Sequence, residues 1–521
     1  MKLHELVRTS TAVASTPGRL AKISTLAAFL KQLDAEEIGI AIGFFTGWPR
    51  QGKLGVGWST IASAQGQAPV SVPVLELRDV DRVLDQLQLV SGKGSSKERL
   101  RLLTELFARA TTDEQQFLSA ITIGEVRQGA LEGVLLEAVA RAAGLPSDRV
   151  RRAVMLAGNL GAVAFAVLKS GGEAALAQFQ VELFRPVQPM LADSAPNVSD
   201  ALAQSEHVVI EWKLDGARIQ VHRRDDRVAV YTRSLNDVTA AVPEVVEAVS
   251  ALPARELILD GEVIALAGDG KPLPFQVTMR RFGRRLDVAT LRKELPVAPF
   301  FFDLLWCDGE DLLDRPLSER LQRLDAILPG AMCVPRITTA DVDEAKRFEA
   351  DALARGHEGV MVKSLAAPYA AGRRGSAWIK VKTARTLDLV VLAVEWGSGR
   401  RKGWLSNLHL GARDPETGGF VMLGKTFKGM TDAMLERQTK ELLGLETARV
   451  GHVVHVRPEL VVEIAFNEVQ RSSQYPGGVT LRFARVKGYR PDKRAMDADT
   501  IDAVRAFLPD WTDGPTHEHA T

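Results

Sequence analysis

Apolar residues recur at helical spacing through the first third of the chain. Leu100, Leu103, Phe107 and Ala110 fall three or four apart behind a Ser95/Glu98 pair with capping-box spacing, and Thr112 with Gln115 repeats that spacing. Leu131, Val134, Leu135, Ala138 and Val139 form a second stripe, which Gly144 and Pro146 stop. Each stripe gives a helix one face to bury, so the region is predicted to be all-α. The longest apolar run, residues 162–168, is far too short to span a bilayer.

The period changes beyond a Pro-containing stretch, Phe184-Arg-Pro-Val-Gln-Pro-Met-Leu191. Residues 208–211, 218–222 and 228–232 read as strands, the last two joined by a polar turn at 224–227. Helical patterns at 242–252, 318–328 and 340–355 are interspersed, which makes the middle of the chain α+β. From about Thr386 the texture is strand-like again, at 387–396, 406–413, 420–427, 453–456 and 460–466, with one helix at 431–443. Five short strands and one helix suit a small Greek-key β-barrel of the OB-fold type. The expected organisation is therefore multidomain: 1–184 helical, 185–385 α+β, 386–511 an OB-fold, and 512–521 a tail without apolar periodicity.

Composition adds exclusions. With 46% hydrophobic and 25% charged residues, the 521-residue chain reads as a soluble globular protein of several domains. Met1 to Leu20 holds no apolar signal-peptide segment, so a cytoplasmic location without a membrane partner is expected. Two cysteines, Cys307 and Cys333, cannot build a four-thiolate zinc site, and reduced thiols are the plain reading. Net charge is +1 and points to no partner, but Arg280, Arg281, Arg284 and Arg285 are clustered, and Arg400, Arg401 and Lys402 are consecutive. Such clusters suit solvated surface as well as phosphate contact.

Candidate chemistry begins at Glu211-Trp-Lys-Leu-Asp-Gly-Ala-Arg218. Taken alone, Lys-x-Asp-Gly is weak, since average usage produces it in roughly one chain in eight of this length. A lysine that attacks phosphorus must lose its proton, which needs nearby cations or metal to lower its pKa. Lys213 closes an apolar strand, and Gly216 suits a tight turn that leaves room for a ligand. Arg218 and Arg233 are cationic forks suited to phosphate or sugar oxygens. Asp260 and Glu262 are two apart on one strand face and Glu358 opens another strand, so rigidly held carboxylates are available to a hard cation.

The order of these pieces carries more than any one of them. Tyr231-Thr-Arg-Ser234, Leu259-Asp-Gly-Glu-Val263, Phe302-Asp-Leu-Leu305, Glu358-Gly-Val-Met-Val-Lys363, Trp378-Ile-Lys-Val-Lys382 and Arg490-Pro-Asp-Lys493 follow in sequence. The series resembles the motifs of covalent-lysine nucleotidyltransferases, and its wording is similar to that of ATP-dependent DNA ligases. The resemblance implies that Lys213 becomes joined to AMP. It implies ATP contacts from Glu211, Arg218, Arg233, Glu262, Phe302, Arg374, Lys380 and Lys382, with Phe302 stacked on adenine and Met361 or Val362 on the other face. Lys363 adds positive charge there. Glu262 and Glu358 are implied as ligands of Mg²⁺ (Mn²⁺ being possible) or ribose, and Arg490, Asp492 and Lys493 as a pyrophosphate-binding, domain-closing group.

Two relatives are disfavoured. NAD-dependent ligases carry a four-Cys zinc module, and capping enzymes need no helical module in front. Ile123-Gly-Glu-Val-Arg-Gln-Gly129 resembles the helical DNA-binding domain of archaeal and eukaryotic ligases, and Trp48-Pro-Arg-Gln51 with Leu54-Gly-Val-Gly-Trp58 is closest to bacterial ligase B proteins. Arg50, Lys93, Lys97, Arg127, Arg280 and Arg281 are the expected DNA contacts, although the loop Ser91-Gly-Lys-Gly-Ser-Ser-Lys97 serves equally as a linker. The expected partner is nicked duplex DNA, bound by a monomer. Sliding-clamp binding stays open.

Overall fold

The computed structural model describes residues 1–508, apart from 53, 93, 125, 127–131, 269, 274, 283–287, 372–373, 383–384 and 399–400. The chain separates into two compact units, Met1–Val381 and Lys382–Thr521.

The first unit opens with helices from Leu3–Ser15 to Leu160–Lys169. Their apolar stripes close on one core that includes Leu6, Leu26, Phe44, Phe45, Leu84, Leu103, Phe107, Leu135 and Val139. The stripe at 134–139 lies on the helix Glu132–Ala143, and Gly144 stops it at φ +70. Two caps differ from expectation. Gly94, at φ +86, is the N-cap of the helix Ser95–Phe107, so Ser95 lies inside it and Glu98 bonds Arg101 instead. The second box is shifted by one residue: Thr111 accepts from Glu114 N–H, while the Glu114 carboxylate accepts from Thr111 N–H.

Two five-stranded sheets follow. The strands are β1 (Leu191–Ala195), β2 (Val208–Trp212), β3 (Ala217–Arg224), β4 (Arg227–Thr232), β5 (Glu256–Ala265), β6 (Val297–Cys307), β7 (Glu310–Asp311), β8 (Arg336–Thr338), β9 (Gly359–Ser364) and β10 (Arg374–Lys382). One sheet runs β1-β10-β9-β2-β8 and the other β4-β3-β5-β6-β7. The helix Val342–Ala354 covers the outer face of the first sheet, where Ile210, Val360, Val362 and Ile379 pack with Ala345 and Ala352. Glu211, Met361 and Lys363 alternate with those residues and therefore face the other way. A separate cluster joins the helical part to this region through Met155, Leu156, Val187, Met190, Tyr369 and Trp378.

The second unit contains β11 (Arg385–Trp396), β12 (Leu405–Arg413), β13 (Phe420–Thr426), β14 (Glu446–Val450), β15 (Val453–Val456), β16 (Val461–Phe466), β17 (Glu468–Arg471), β18 (Val479–Arg482) and β19 (Arg485–Tyr489). The predicted helix is Asp432–Gly444, capped by Thr431. Five of these strands follow the sequence pattern; β14, β17, β18 and β19 were missed because they are short and polar. Strand pairing runs β13-β12-β11-β15-β14, with β16 bridging β11 and β19, and β17–β18 form a separate ribbon. Among the described residues this pairing does not close into a barrel.

Candidate active site

Lys213 is the first residue after β2, and Glu358 the last before β9. Lys213 N–H donates to Gly359 O (2.8 Å) and Glu358 N–H to Lys213 O (3.0 Å), so the strand ladder is extended through both residues. Their side chains meet as an ion pair, and Lys213 lines a cleft between the two sheets. Burial works to lower the Lys213 pKa. The Glu358 carboxylate, with Glu262 and Asp215, outweighs it and holds the amine above the ordinary lysine value. The charges expected to activate this lysine are thus absent from its immediate pairing, and a carboxylate stands in their place.

Gly216 owes its identity to close packing. A Cβ there would lie 2.2 Å from Val263 O and 2.9 Å from Glu262 Cγ, and the residue does not take a positive φ. The missing side chain makes room for β5, where a turn beside a ligand was expected.

Glu211 and Lys363 form a second ion pair, nearly devoid of solvent. Burial pushes the Glu211 carboxyl up against the pull of Lys363. The Lys363 Nζ lies 4.3 Å from both the Phe302 and Trp378 ring centroids. Phe302 is aimed by a bulge: Asp260 pairs with Asp303 and Gly261 with Phe301, leaving Phe302 without a partner on β5. Phe301 is buried in the core, whereas Phe302 and Met361 line the cleft. Val362 points into the opposite core, which leaves Met361 as the cleft-facing member of that pair.

Arg218 is not an open fork. Its Nε and Nη2 bond Asp260 at 3.0 and 2.7 Å, its Nη1 bonds Met190 O at 2.7 Å, and Nη2 also reaches Tyr369 Oη at 3.4 Å. One of its five N–H groups is left over for anything else. Burial lowers its pKa, but Asp260 more than compensates and holds it above the usual arginine value. Glu262, directly across from Arg218 on β5, is pushed up to about 7 by burial, against the opposing charges of Lys213 and Arg218.

Arg233 and Lys380 line the same cleft, Arg233 from an exposed position. Lys382 ends β10, where the second unit begins. The Arg374 side chain lies outside the described residues, as do Lys93, Arg127, Arg284, Arg285, Arg400 and the tail at 512–521. In the second unit Arg490 and Lys493 both bond Asp388 Oδ2, at 2.8 and 2.5 Å, and Arg490 also bonds Asp492.

The expected DNA contacts divide. Lys97 and Arg280 are exposed at helix ends. Arg50 is half exposed but bonded to Asp81 and Asp85. It borders a large groove of the helical part with Trp48, Asn159 and Phe165, and among the described residues the groove's other ionisable groups are Glu36 and Glu132, which form no catalytic constellation. Arg281 is a correction. It is 2% exposed and bonds Glu244, Leu295 O and Ala241 O, so it is a structural clamp out of reach of DNA. Pattern reading missed Tyr369, which no motif or period marks. It also missed the fully buried pairing of Arg320 with Asp303, the residue after Phe302 in the chain.

The model for the ATP dependent DNA ligase domain matches residues 189–382, that for the ligase C terminal region 401–493, and that for the DNA ligase N terminus 61–140. The chain belongs to the ATP-dependent DNA ligase family. A probable DNA ligase of Anaeromyxobacter sp. (strain Fw109-5) is 59% identical over 97% of this chain and 98% of its own length. One of Sorangium cellulosum (strain So ce56) is 54% identical over 97% and 95%. The solved structure Pmar-Lig_PreS3 covers 93% of this ligase and 99% of its own chain at a TM-score of 0.62 and 18% identity, a likeness of fold alone. No helix among the ligase's described residues is long and apolar enough to cross a membrane.

Proposed function

We propose that this ligase seals nicks in duplex DNA by way of AMP carried on Lys213. The observation that carries the reading is the Lys213–Glu358 pair, whose lysine lines the cleft with Glu262. The Lys213 nitrogen attacks the α-phosphorus of ATP. A P–N bond forms, the bond to pyrophosphate breaks, and the amine gives up a proton. A 5′-phosphate oxygen at the nick then attacks the AMP phosphorus, the P–N bond breaks and Lys213 is freed; the adjoining 3′-hydroxyl, losing its proton, attacks the 5′-phosphorus and AMP leaves as the new phosphodiester forms. Holding both DNA ends in line supplies much of the rate.

Adenine fits between Phe302 and Met361. Among the buried atoms of cleft-lining residues without hydrogen-bond partners, Glu211 Oε1 and Trp378 Nε1 are an acceptor and a donor available to a polar base edge. We assign Arg233 and Lys380, which line the cleft, to sugar and phosphate oxygens, and Arg374 and Lys382 to the same nucleotide. Glu262 and Glu358 fit a divalent cation, Mg²⁺ or Mn²⁺. No group of three or more such side chains forms a metal cluster among the described residues, and two carboxylates completed by phosphate oxygens and water are the usual Mg²⁺ arrangement. When bound, the cation would offset phosphate charge and compete with Lys213 for Glu358. With Glu358 engaged elsewhere, burial acts on the amine with less opposition and its pKa falls.

The second unit supports an OB-type reading through its strands and single inserted helix, with Arg490 and Lys493 engaging the departing pyrophosphate. Nicked DNA is the partner, with Lys97 and Arg280 as phosphate contacts. The test is incubation with α-labelled ATP and Mg²⁺, then a denaturing gel. The wild type should carry label, Lys213→Ala none, and label on the variant would overturn the assignment.

A further inference from the structure

The segment between the helical part and β1 packs along β3 and ends beside the cleft residue Arg218. Phe184 N–H donates to His222 Nδ1 (2.9 Å), and Val187 exchanges bonds with the Gln220 amide (2.7 and 3.1 Å). Gln188 N–H reaches back to Met155 O on the helix Ser147–Ala157 (2.9 Å). The segment ends at Met190, whose carbonyl accepts from Arg218 Nη1.

Tyr369 joins these parts. Its hydroxyl accepts from Met190 N–H (3.0 Å) and donates to Asp260 Oδ2 (2.7 Å), the oxygen that also receives Arg218 Nη2. The side chain is 1% exposed and its ring packs edge-on against Trp378, with centroids 6.0 Å apart. Its backbone N–H is tied to Leu313 O (2.7 Å). The hydroxyl thus accepts from Arg218 Nη2 itself (3.4 Å) and holds the other two acceptors that set the guanidinium: the Asp260 carboxylate directly, and the Met190 carbonyl through that residue's own N–H. With four of five guanidinium N–H groups assigned, small errors in these acceptors decide where the remaining one points.

We propose that Tyr369 is a positioning residue that fixes Arg218 for the nucleotide and ties that setting to the segment arriving from the helical part. The proposal rests on the reading of Arg218 as a nucleotide contact. Removing the hydroxyl leaves the buried Met190 N–H without a partner and frees Asp260 to shift, while the ring keeps its packing.

The test is single-turnover self-adenylation of the full chain against ATP concentration, for wild type, Tyr369→Phe, Arg218→Lys and the double variant. Lysine keeps a charge beside Asp260 but loses the fork, which guards the fold. Tyr369→Phe should raise the half-saturating ATP concentration about tenfold, the scale expected of a buried hydrogen bond to a charged group. The saturating rate should fall by less than about threefold. The double variant should be no worse than Arg218→Lys, because the hydroxyl acts through a fork that is already gone. A Tyr369→Phe enzyme within about twofold of wild type, or losses that multiply in the double variant, would overturn the proposal. An unimpaired Arg218→Lys enzyme would instead remove Arg218 from the nucleotide site, and the proposal with it.

Discussion

Lys213 and Glu358 face one another because each continues its own strand by one residue across the β2–β9 ladder, and the two backbone bonds between them fix the meeting of their side chains. The resting site therefore holds the Lys213 amine, the proposed nucleophile, as an ammonium, and pH should act on it directly.

Below its raised pKa the Lys213 amine is protonated and unreactive, so the single-turnover adenylation rate should climb from neutral to alkaline pH. Glu358→Gln removes the largest upward influence and leaves burial, which lowers the pKa. The rising limb should then move to lower pH, even if the maximal rate falls through loss of a cation ligand. Rates of label uptake across a pH series read this out, and an unmoved limb would mean that Glu358 no longer governs the amine once cation and ATP are bound.

Glu262 carries a stability cost. Its carboxyl is held near 7 in the fold, above the ordinary value of 4.5. The favourable protonated form is complete below the ordinary value, and its contribution is lost as pH rises through about 7. Glu262→Gln should therefore raise the melting temperature at slightly alkaline pH, by on the order of 2 °C, and change it little at acid pH. Adenylation should fall sharply. Thermal unfolding at two pH values decides it, and a loss of stability at alkaline pH would count against the buried-carboxylate account.

Adjacent arginines should behave differently. Arg281→Ala leaves Glu244 without its buried partner and should cost about 3–5 kcal/mol in denaturant unfolding. Arg280→Ala, at an exposed position, should cost less than about 1 kcal/mol in unfolding and lower the salt dependence of nick binding by about one phosphate contact. Equal stability of both variants would contradict the clamp assigned to Arg281.

Lys493→Ala should slow adenylation at least about tenfold, as expected for loss of a cation at developing charge. Sealing of a pre-adenylated nick should stay near normal. The Arg490–Asp388 pair survives the change, so unfolding should move by less than about 1 kcal/mol. Equal losses in both steps would reduce Lys493 to an ion-pair partner of Asp388.

The sequence alone carried the helical first third, the alternating middle and five strands of the second unit, because burial of one face stamps a period on the chain. It also marked Lys213, Glu262, Phe302 and Glu358 as candidate site residues, since the order of their motifs along the chain is readable. Folding decided the partnerships. Arg218 and Arg281 read alike as free cations, yet one is held by Asp260 and the other by Glu244, carboxylates 42 and 37 residues away in sequence. Met361 and Val362 separated only when β9 paired with β2 and sent them to opposite faces. Tyr369 gained its place through contacts 109 and 179 residues distant, to Asp260 and Met190. Local periodicity records which residues are buried; which donor meets which acceptor is set by chain segments brought together in three dimensions, and no local pattern encodes it.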